Sequence, residues 1–217
     1  MTTASPDLLI DGPAEAEATL LLAHGAGAPM DSPFMAAMAG GLAQRGWRVV
    51  RFEFPYMAQS RLSGQRRAPD RLPRLLECFR AQVAQQAGAA PLLIGGKSLG
   101  GRVASLLVDE LAHSHGVRGC LCLGYPFHPP GKPNQLRTDH LAALATPTLI
   151  LQGERDSFGK RGEVEGYRLS AQIQLQWIAS GDHSFKPTRS SGLSEADTWA
   201  AAVGHSDQFL RSVLKPG

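Results

Sequence analysis

The chain has 217 residues, of which 43 % are hydrophobic and 19 % are charged. This length fits a single domain spanning residues 1–217, with a core large enough to fold without disulfides or a structural metal. The composition excludes a disordered chain and a coiled coil. The 22 basic and 19 acidic side chains leave a net charge of +3, which is too weak an electrostatic footprint to predict a nucleic-acid partner.

The cysteines and the N-terminal composition bear on the compartment. Cys78, Cys120 and Cys122 are odd in number and lack metal-ligand spacing, so we expect neither a disulfide framework nor a metal site. Cys120 and Cys122 lie in an apolar run and are predicted to be small buried residues. Residues 1–11 lack the basic region of a signal peptide, and no uncharged run of 18 apolar residues occurs. We therefore expect a cytoplasmic protein without membrane association.

Short apolar runs alternate along the chain with segments of helical period. The apolar runs predict strands buried on both faces, except for the last one, which alternates apolar with polar residues and predicts a strand nearer the edge. In chain order the predicted elements are strand 19–23, helix 33–42, strand 49–52, helix 72–83, strand 92–95, helix 99–111, strand 117–123, strand 148–152, strand 173–178 and helix 195–213.

Local signals mark where the helices begin. Ser32 followed by Pro33 is typical of a first helical turn, Asp70 is a candidate N-cap, and Ser194 with Asp197 resembles a capping box. The repeated strand–helix–strand pattern predicts an α/β fold with a mostly parallel sheet and helices on both faces.

Glycines cluster in residues 24–27 and 95–101. The second cluster contains Gly96-x-Ser98-x-Gly100, with a predicted strand before it and a predicted helix after it. In a nucleophile elbow the serine occupies a sharp strand-to-helix turn that lifts its hydroxyl above the sheet. Strand and helix then pass too close for side chains at the flanking positions. The pattern and its context predict Ser98 as a nucleophile.

The same residues have a second interpretation, because Gly-Lys-Ser after a strand also ends a phosphate-binding loop. That loop needs a glycine five positions before Gly96, where the chain has Pro91. Only two loop residues remain after Ile94, which is too few to wrap a phosphate. The elbow is therefore the favoured interpretation.

A serine hydroxyl is a weak nucleophile at neutral pH and needs a general base, which an acid must orient. After Ser98, Asp156 and His183 each follow a predicted strand of their own, in the chain order serine, acid, histidine. The three side chains are therefore expected at one edge of the sheet. Glu154, which is nearer the strand, and Asp182, which adjoins the histidine, remain alternatives for the acid.

An oxyanion formed during acyl transfer needs amide donors. The amide of Leu99 is one candidate, because it lies at a helix N-terminus behind the serine. The amide of Ala26 is the other, because small residues in the first glycine cluster let the backbone approach a substrate oxygen. His24 in the same cluster is predicted to be a structural hydrogen-bonding residue.

Two segments without a regular pattern, 55–69 and 125–139, each follow a strand at its C-terminal end, where open parallel sheets bind ligands. They are either pocket walls or solvated loops. His128 lies in the second segment and is a candidate for the pocket. A group of arginines in or next to the first segment favours either an anionic acyl group or a solvated loop: Arg61, Arg66, Arg67 and Arg71. The remaining histidines are predicted to lie at the surface: His113, His115, His140 and His205.

The segments HGAG, GKSLG, GERD and GDHSF, in this order, resemble the alpha/beta-hydrolase superfamily over roughly residues 18–214. The chain is most similar to small members grouped with dienelactone-hydrolase-like proteins and with the hydrolase-like domain of a histone-acetyltransferase complex subunit. The resemblance implies a three-layer alpha/beta-hydrolase fold. Only one short strand, 7–10, precedes strand 19–23, and no long insertion separates strands 117–123 and 148–152, so we expect no cap domain and an open site.

The resemblance implies a serine hydrolase of carboxylesterase or thioesterase type. Its substrate would be a small-molecule acyl ester or thioester, and it would need no cofactor. The superfamily also includes members without activity. A non-catalytic binding or scaffold module is therefore the alternative, motivated by the resemblance to a complex subunit and by Lys97, a bulky charged residue inside the elbow.

Overall fold

A computed structural model describes residues 8–88 and 90–215 of the chain. The strands in these residues form one sheet, and every neighbouring pair is parallel except the first strand and its partner. The strands are β1 (Leu9–Asp11), β2 (Thr19–Ala23), β3 (Arg48–Phe52), β4 (Leu92–Lys97), β5 (Cys120–Leu123), β6 (Thr148–Gly153) and β7 (Ile173–Ile178). Their order across the sheet is β1-β3-β2-β4-β5-β6-β7.

Helices cover both faces of this sheet, which gives three layers. One apolar layer contains residues of the third and fourth helices, such as Phe79 and Leu107, and the other contains residues of the first and last helices, such as Met38 and Leu210. Each large apolar side chain buried in these layers contributes roughly 1.5–3 kcal/mol. The helices are α1 (Pro33–Ala43), α2 (Pro55–Ser63), α3 (Leu72–Gln86), α4 (Leu99–His115), α5 (Arg161–Val164) and α6 (Glu195–Leu214).

The strand predictions are confirmed, with small shifts at the ends. The four strands β2, β4, β5 and β6 are buried throughout, whereas β7 alternates and lies at the sheet edge. β5 begins three residues later than predicted because Val117 lies in the turn that follows α4, where its amide donates to Leu111 O at 3.3 Å. Of the short N-terminal strand predicted at 7–10, Asp7 lies outside the described residues, and β1 pairs antiparallel with β3.

The prediction of an irregular segment over 55–69 is wrong in its first part, because Pro55–Ser63 forms α2. The N-terminus of α2 is capped from a distance: the Tyr56 amide donates to Asp70 Oδ2 at 2.9 Å. Asp70 therefore does not cap α3, whose N-cap position is Arg71. The expected capping box of α6 is present, with the Ser194 amide 2.8 Å from Asp197 Oδ2.

The connection from β5 to β6, residues 124–147, contains one short 3-10 turn at Asp139–Ala142 and no cap domain. The rest of segment 125–139 is irregular, as predicted. Cys120 and Cys122 are fully buried, and burial raises the pKa of the Cys120 thiol well above its ordinary value. Among the described helices, none has both the length and the apolar character that a membrane span requires.

Candidate active site

Ser98 occupies the turn between β4 and α4 with a φ of +50° and a ψ of −111°. Residues other than glycine rarely adopt positive φ, and such strain persists only where the surroundings impose it. Here β4 ends at Lys97 and α4 begins at Leu99, so the turn has a single residue. The serine hydroxyl is therefore held at the C-terminal edge of the sheet.

The glycines on either side of the elbow are required by close backbone approach. A Cβ on Gly96 would lie 2.5 Å from Gly100 C and 2.7 Å from Ala23 O. A Cβ on Gly100 would lie 2.5 Å from Ala23 O. All three distances are too short for real atoms, so strand β4, strand β2 and helix α4 can meet only with glycine at both positions.

His183 follows β7 and contacts the serine. Its Nε2 lies 2.9 Å from Ser98 Oγ, within hydrogen-bond distance for a base and its nucleophile. The loop that carries His183 is shaped by Asp182, whose Oδ1 accepts from the Ser184 and Lys186 amides at 2.8 and 3.0 Å. Phe185, fully buried, anchors the same loop in the core.

Asp156 stands behind the imidazole. Its Oδ2 lies 2.7 Å from His183 Nδ1, and its side chain is fully buried. Two further donors hold the carboxylate, namely Gln152 Nε2 to Oδ2 at 2.9 Å and the Phe158 amide to Oδ1 at 2.8 Å. A buried carboxylate needs such partners, because an unpaired one is costly. The arrangement fixes the imidazole with Nδ1 toward the acid and Nε2 toward Ser98.

The two alternative acids point elsewhere. Glu154 Oε1 lies 3.0 Å from Arg161 Nη1 and its Oε2 accepts from the Ser180 amide at 2.9 Å. Asp182 accepts from two amides of its own loop. Of the three candidate carboxylates, Asp156 is the one that contacts His183.

Burial lowers the pKa of His183 below its ordinary value, the Asp156 hydrogen bond raises it, and the Lys97 charge lowers it further. The ring of Phe158 covers the imidazole with a centroid distance of 4.2 Å. The imidazole is therefore neutral at neutral pH, the form in which Nε2 can accept a proton from the serine.

The two expected oxyanion donors are the amides of Leu99 and Ala26. Neither amide has a protein acceptor among the described residues. The Tyr56 hydroxyl donates to Gly25 O at 3.3 Å and to Ala26 O at 3.2 Å. Because the Gly25 carbonyl and the Ala26 amide belong to one trans peptide, the amide points away from the tyrosine. Leu99 is the first residue of α4, so its amide has no partner within the helix.

His24 is fully buried beneath this loop. Its Nδ1 lies 2.7 Å from Gly25 O, and its Nε2 accepts from the Phe54 amide at 3.0 Å. These are the contacts of a residue that shapes the loop rather than of a base.

The arginines of the α2–α3 region differ in their surroundings. Arg61 is bound to Asp31 at 2.9 Å and to Glu53 at 2.6 Å, so its charge is already neutralised. Arg66 and Arg67 are exposed and form no ion pair within the described residues. They line a cleft of about 450 Å³ together with neighbouring residues: Ala26, Gly27, Ala68 and Pro69.

Two histidines lie differently from their predictions. His128 is 2 % exposed, with Nδ1 2.8 Å from Pro129 O, so it is packed inside its loop and not available to a cleft. His140 is half-buried rather than at the surface. Its Nε2 lies 2.9 Å from Ser105 Oγ, and burial lowers the pKa of its imidazole to about 4.

Sequence reasoning missed three residues that support the site. Gln152 bridges Asp156 and the Tyr125 carbonyl, Phe158 stacks on His183, and Tyr56 orients the first glycine cluster. Gln152 carried a signal, since it is a polar residue at the end of a buried apolar run. Tyr56 and Phe158 carried none, because their contacts are with residues distant in the chain.

The fold and the strand-to-helix elbow define an alpha/beta hydrolase. The chain belongs to the alpha/beta hydrolase domain family, which matches residues 16–211.

Solved structures of this fold are similar over nearly the whole chain. A dienelactone hydrolase from Anabaena variabilis is 18 % identical, with a TM-score of 0.73, over 99 % of this chain and 94 % of that one. Est1E from Butyrivibrio proteoclasticus, in a structure with bound ferulic acid, is 14 % identical, with a TM-score of 0.69, over 96 % and 95 % of the two chains. An esterase domain from Rhodothermus marinus is 14 % identical, with a TM-score of 0.67, over 94 % of this chain and 91 % of that one. At these identities the likeness concerns the fold.

Proposed function

We propose that the protein is a serine hydrolase that cleaves small acyl esters or thioesters through an acyl-enzyme. The observation that carries the proposal is the hydrogen-bonded chain from Ser98 Oγ through His183 to Asp156, with distances of 2.9 and 2.7 Å. A nucleophile, a base in contact with it and a buried acid behind the base are the three parts that serine activation requires. Membership in the alpha/beta hydrolase domain family supports the hydrolytic class.

The reaction would proceed in two halves. His183 Nε2 takes the Ser98 proton as Oγ attacks the acyl carbon, and the amides of Leu99 and Ala26 receive the oxyanion. The alcohol or thiol leaves with the proton from His183, and the acyl group stays on Ser98. Water then attacks the acyl carbon, His183 takes its proton, and the carboxylic acid leaves as Ser98 regains the proton. Asp156 stabilises the imidazolium in both halves.

The open site supports a range of small substrates. No cap domain stands over the elbow in the described residues, the His183 side chain is 23 % exposed, and Ala26 is exposed. Esters and thioesters share the acyl carbonyl that this machinery attacks, so both belong to the proposal.

The alternative function, a non-catalytic binding or scaffold module, loses one of its two supporting observations. That observation is Lys97, a bulky charged residue inside the elbow. Its side chain is 8 % exposed and its ammonium donates to His183 O. The lysine therefore packs behind the elbow and does not obstruct the serine hydroxyl.

The test is hydrolysis of p-nitrophenyl acetate by the wild-type protein, by Ser98→Ala and by Ser184→Ala. Ser184 is exposed and adjoins His183, so it is a matched control for loss of a hydroxyl near the site. We expect turnover by the wild type and Ser184→Ala, and loss of at least about 10³-fold in kcat for Ser98→Ala. Equal rates for wild type and Ser98→Ala, or inertness of a folded wild type toward a panel of acyl esters and thioesters, would contradict the proposal.

A further inference from the structure

Lys97 is a lysine inside the core, at the last position of β4 and next to the serine. Its side chain is 8 % exposed. Among the described residues its ammonium makes no ion pair with a carboxylate. It donates instead to the main-chain carbonyl of His183 and lies 5.3 and 5.9 Å from the ring centroids of Phe34 and Phe185.

The surrounding backbone leaves room for this ammonium. Gly124, directly after β5, has a φ of +66°, and a Cβ there would lie 2.7 Å from Lys97 Nζ and 2.8 Å from His183 O. A residue with a side chain at position 124 would therefore displace both partners of the hydrogen bond. The hydrogen bond between the Lys97 ammonium and the His183 carbonyl therefore requires glycine at position 124.

Burial of an ammonium costs free energy, which a hydrogen bond and two aromatic faces offset only in part. A methionine has a similar length and would fill this position between two phenylalanine rings at lower cost. Packing alone therefore does not explain a lysine here. The position of the charge relative to His183 offers an explanation.

We propose that Lys97 is a positioning residue, whose ammonium holds the His183 carbonyl, aligns the imidazole with Ser98 and keeps the imidazole free of a second proton. The inference rests on the proposed function, because it concerns the base of that reaction. The hydrogen bond fixes the residue that carries the base, and the nearby positive charge disfavours an imidazolium in the resting enzyme.

The charges around Lys97 and His183 give the direction in which the Lys97 charge shifts the pKa of His183. The Lys97 charge lowers the pKa of His183, while the carboxylates of Asp156 and Asp182 raise it. Burial in turn lowers the pKa of Lys97 to about 8, against the opposing effect of the same two carboxylates. Lys97 is therefore cationic over the range in which His183 titrates, and loss of its charge would raise the pKa of His183.

The experiment is an NMR titration of the His183 imidazole in the wild type, Lys97→Met, Lys97→Arg and Lys186→Met, with His183→Gln for assignment. Lys97→Met keeps the length of the stem and removes the charge and the donor. Lys186→Met removes a charge from the same loop, but from an exposed side chain. We expect a higher pKa of His183 in Lys97→Met, and values close to the wild type in Lys97→Arg and Lys186→Met. A folded Lys97→Met with the wild-type pKa, or an equal shift in Lys186→Met, would overturn the charge effect.

A second readout separates positioning from packing. The acid limb of kcat/KM for p-nitrophenyl acetate is expected to move to higher pH in Lys97→Met, with a kcat about tenfold lower on the plateau because the imidazole is less well aligned, and Lys97→Arg is expected to recover part of that loss. An unchanged acid limb and plateau would contradict the role. Since the titration needs no turnover, inertness of the wild type would defeat the proposed function and still leave the Lys97 effect measurable.

Discussion

The three polar side chains of the candidate active site are held by different physical means. Ser98 is fixed by its own strained backbone, with φ at +50°. His183 is fixed by hydrogen bonds at both ring nitrogens. Asp156 is fixed by full burial and by donors on both of its oxygens. The constraints on Ser98 and Asp156 do not involve the histidine, whereas His183 depends on both of these partners, so substitution of either partner is expected to disturb the imidazole as well.

Asp156 and Glu154 give a direct comparison at the residue scale. We expect Asp156→Asn to lower kcat by about 10³- to 10⁴-fold, as in serine enzymes that lose the acid behind the histidine. Glu154→Gln removes a carboxylate two residues away that contacts Arg161 and the Ser180 amide, and we expect it to retain nearly full activity. Kinetics with p-nitrophenyl acetate measure both. The reverse order of effects would identify Glu154 as the acid.

Arg66 and Arg67 bear on the two interpretations of the arginines, namely recognition of an anionic acyl group or a solvated loop. The cleft that they line reaches Ala26 and contains no residue of the His183 loop. The proposed mechanism brings the leaving group toward His183, which favours the Ala26 side, and therefore this cleft, for the acyl part. We therefore expect higher kcat/KM for p-nitrophenyl hydrogen adipate than for p-nitrophenyl hexanoate, which have the same leaving group.

In the Arg66→Gln/Arg67→Gln double variant this preference is expected to fall, by up to about 30-fold, because two exposed ion pairs contribute at most about 1 kcal/mol each. Arg71→Gln is the control, since Arg71 is exposed but does not line the cleft. Equal rates on the two esters in the wild type would mean that Arg66 and Arg67 belong to a solvated loop and do not bind the acyl group.

Among the elements, the β4–α4 junction is defined by local sequence and α2 is not. The elbow could be predicted because its glycines, its serine and its flanking patterns lie within about a dozen residues. The start of α2 depends on Asp70, which lies 14 residues after Tyr56 and bonds to its amide. A cap supplied from beyond the helix leaves no capping residue at position 54, and the serines, the glycine and the proline between Tyr56 and Asp70 favour a loop.

Gly100 tests the packing of the β4–α4 junction. We expect Gly100→Ala to lower the free energy of unfolding by more than about 1–3 kcal/mol, the usual cost of overpacking, because its Cβ would meet main-chain oxygens rather than adaptable side chains. Gly40→Ala is the matched control, since Gly40 lies in α1 with open space at its Cβ. That variant is expected to gain about 0.5–1 kcal/mol from the lower entropy cost of alanine in a helix. Urea unfolding of both variants measures the difference, and a neutral Gly100→Ala would contradict the close approach.

At the scale of the whole molecule, strand order brings the site together. Ser98, Asp156 and His183 follow β4, β6 and β7, and the parallel register from β4 to β7 aligns the C-terminal ends of these strands. The alternation of strands and helices made this edge predictable from the sequence. The residues that orient the site without a sequence signal, such as Tyr56 and Phe158, were not predictable, because their contacts depend on side-chain positions in the assembled fold.

The proposed mechanism requires Ser98 to be an activated nucleophile. The most direct measurement is intact-protein and peptide mass spectrometry after treatment with a fluorophosphonate, which reacts with serines activated by a base. We expect one adduct per chain, located on Ser98, lost in Ser98→Ala and retained in Ser184→Ala, with slower labelling in His183→Gln. A folded wild-type protein without an adduct, or an adduct that persists in Ser98→Ala, would contradict the proposed mechanism.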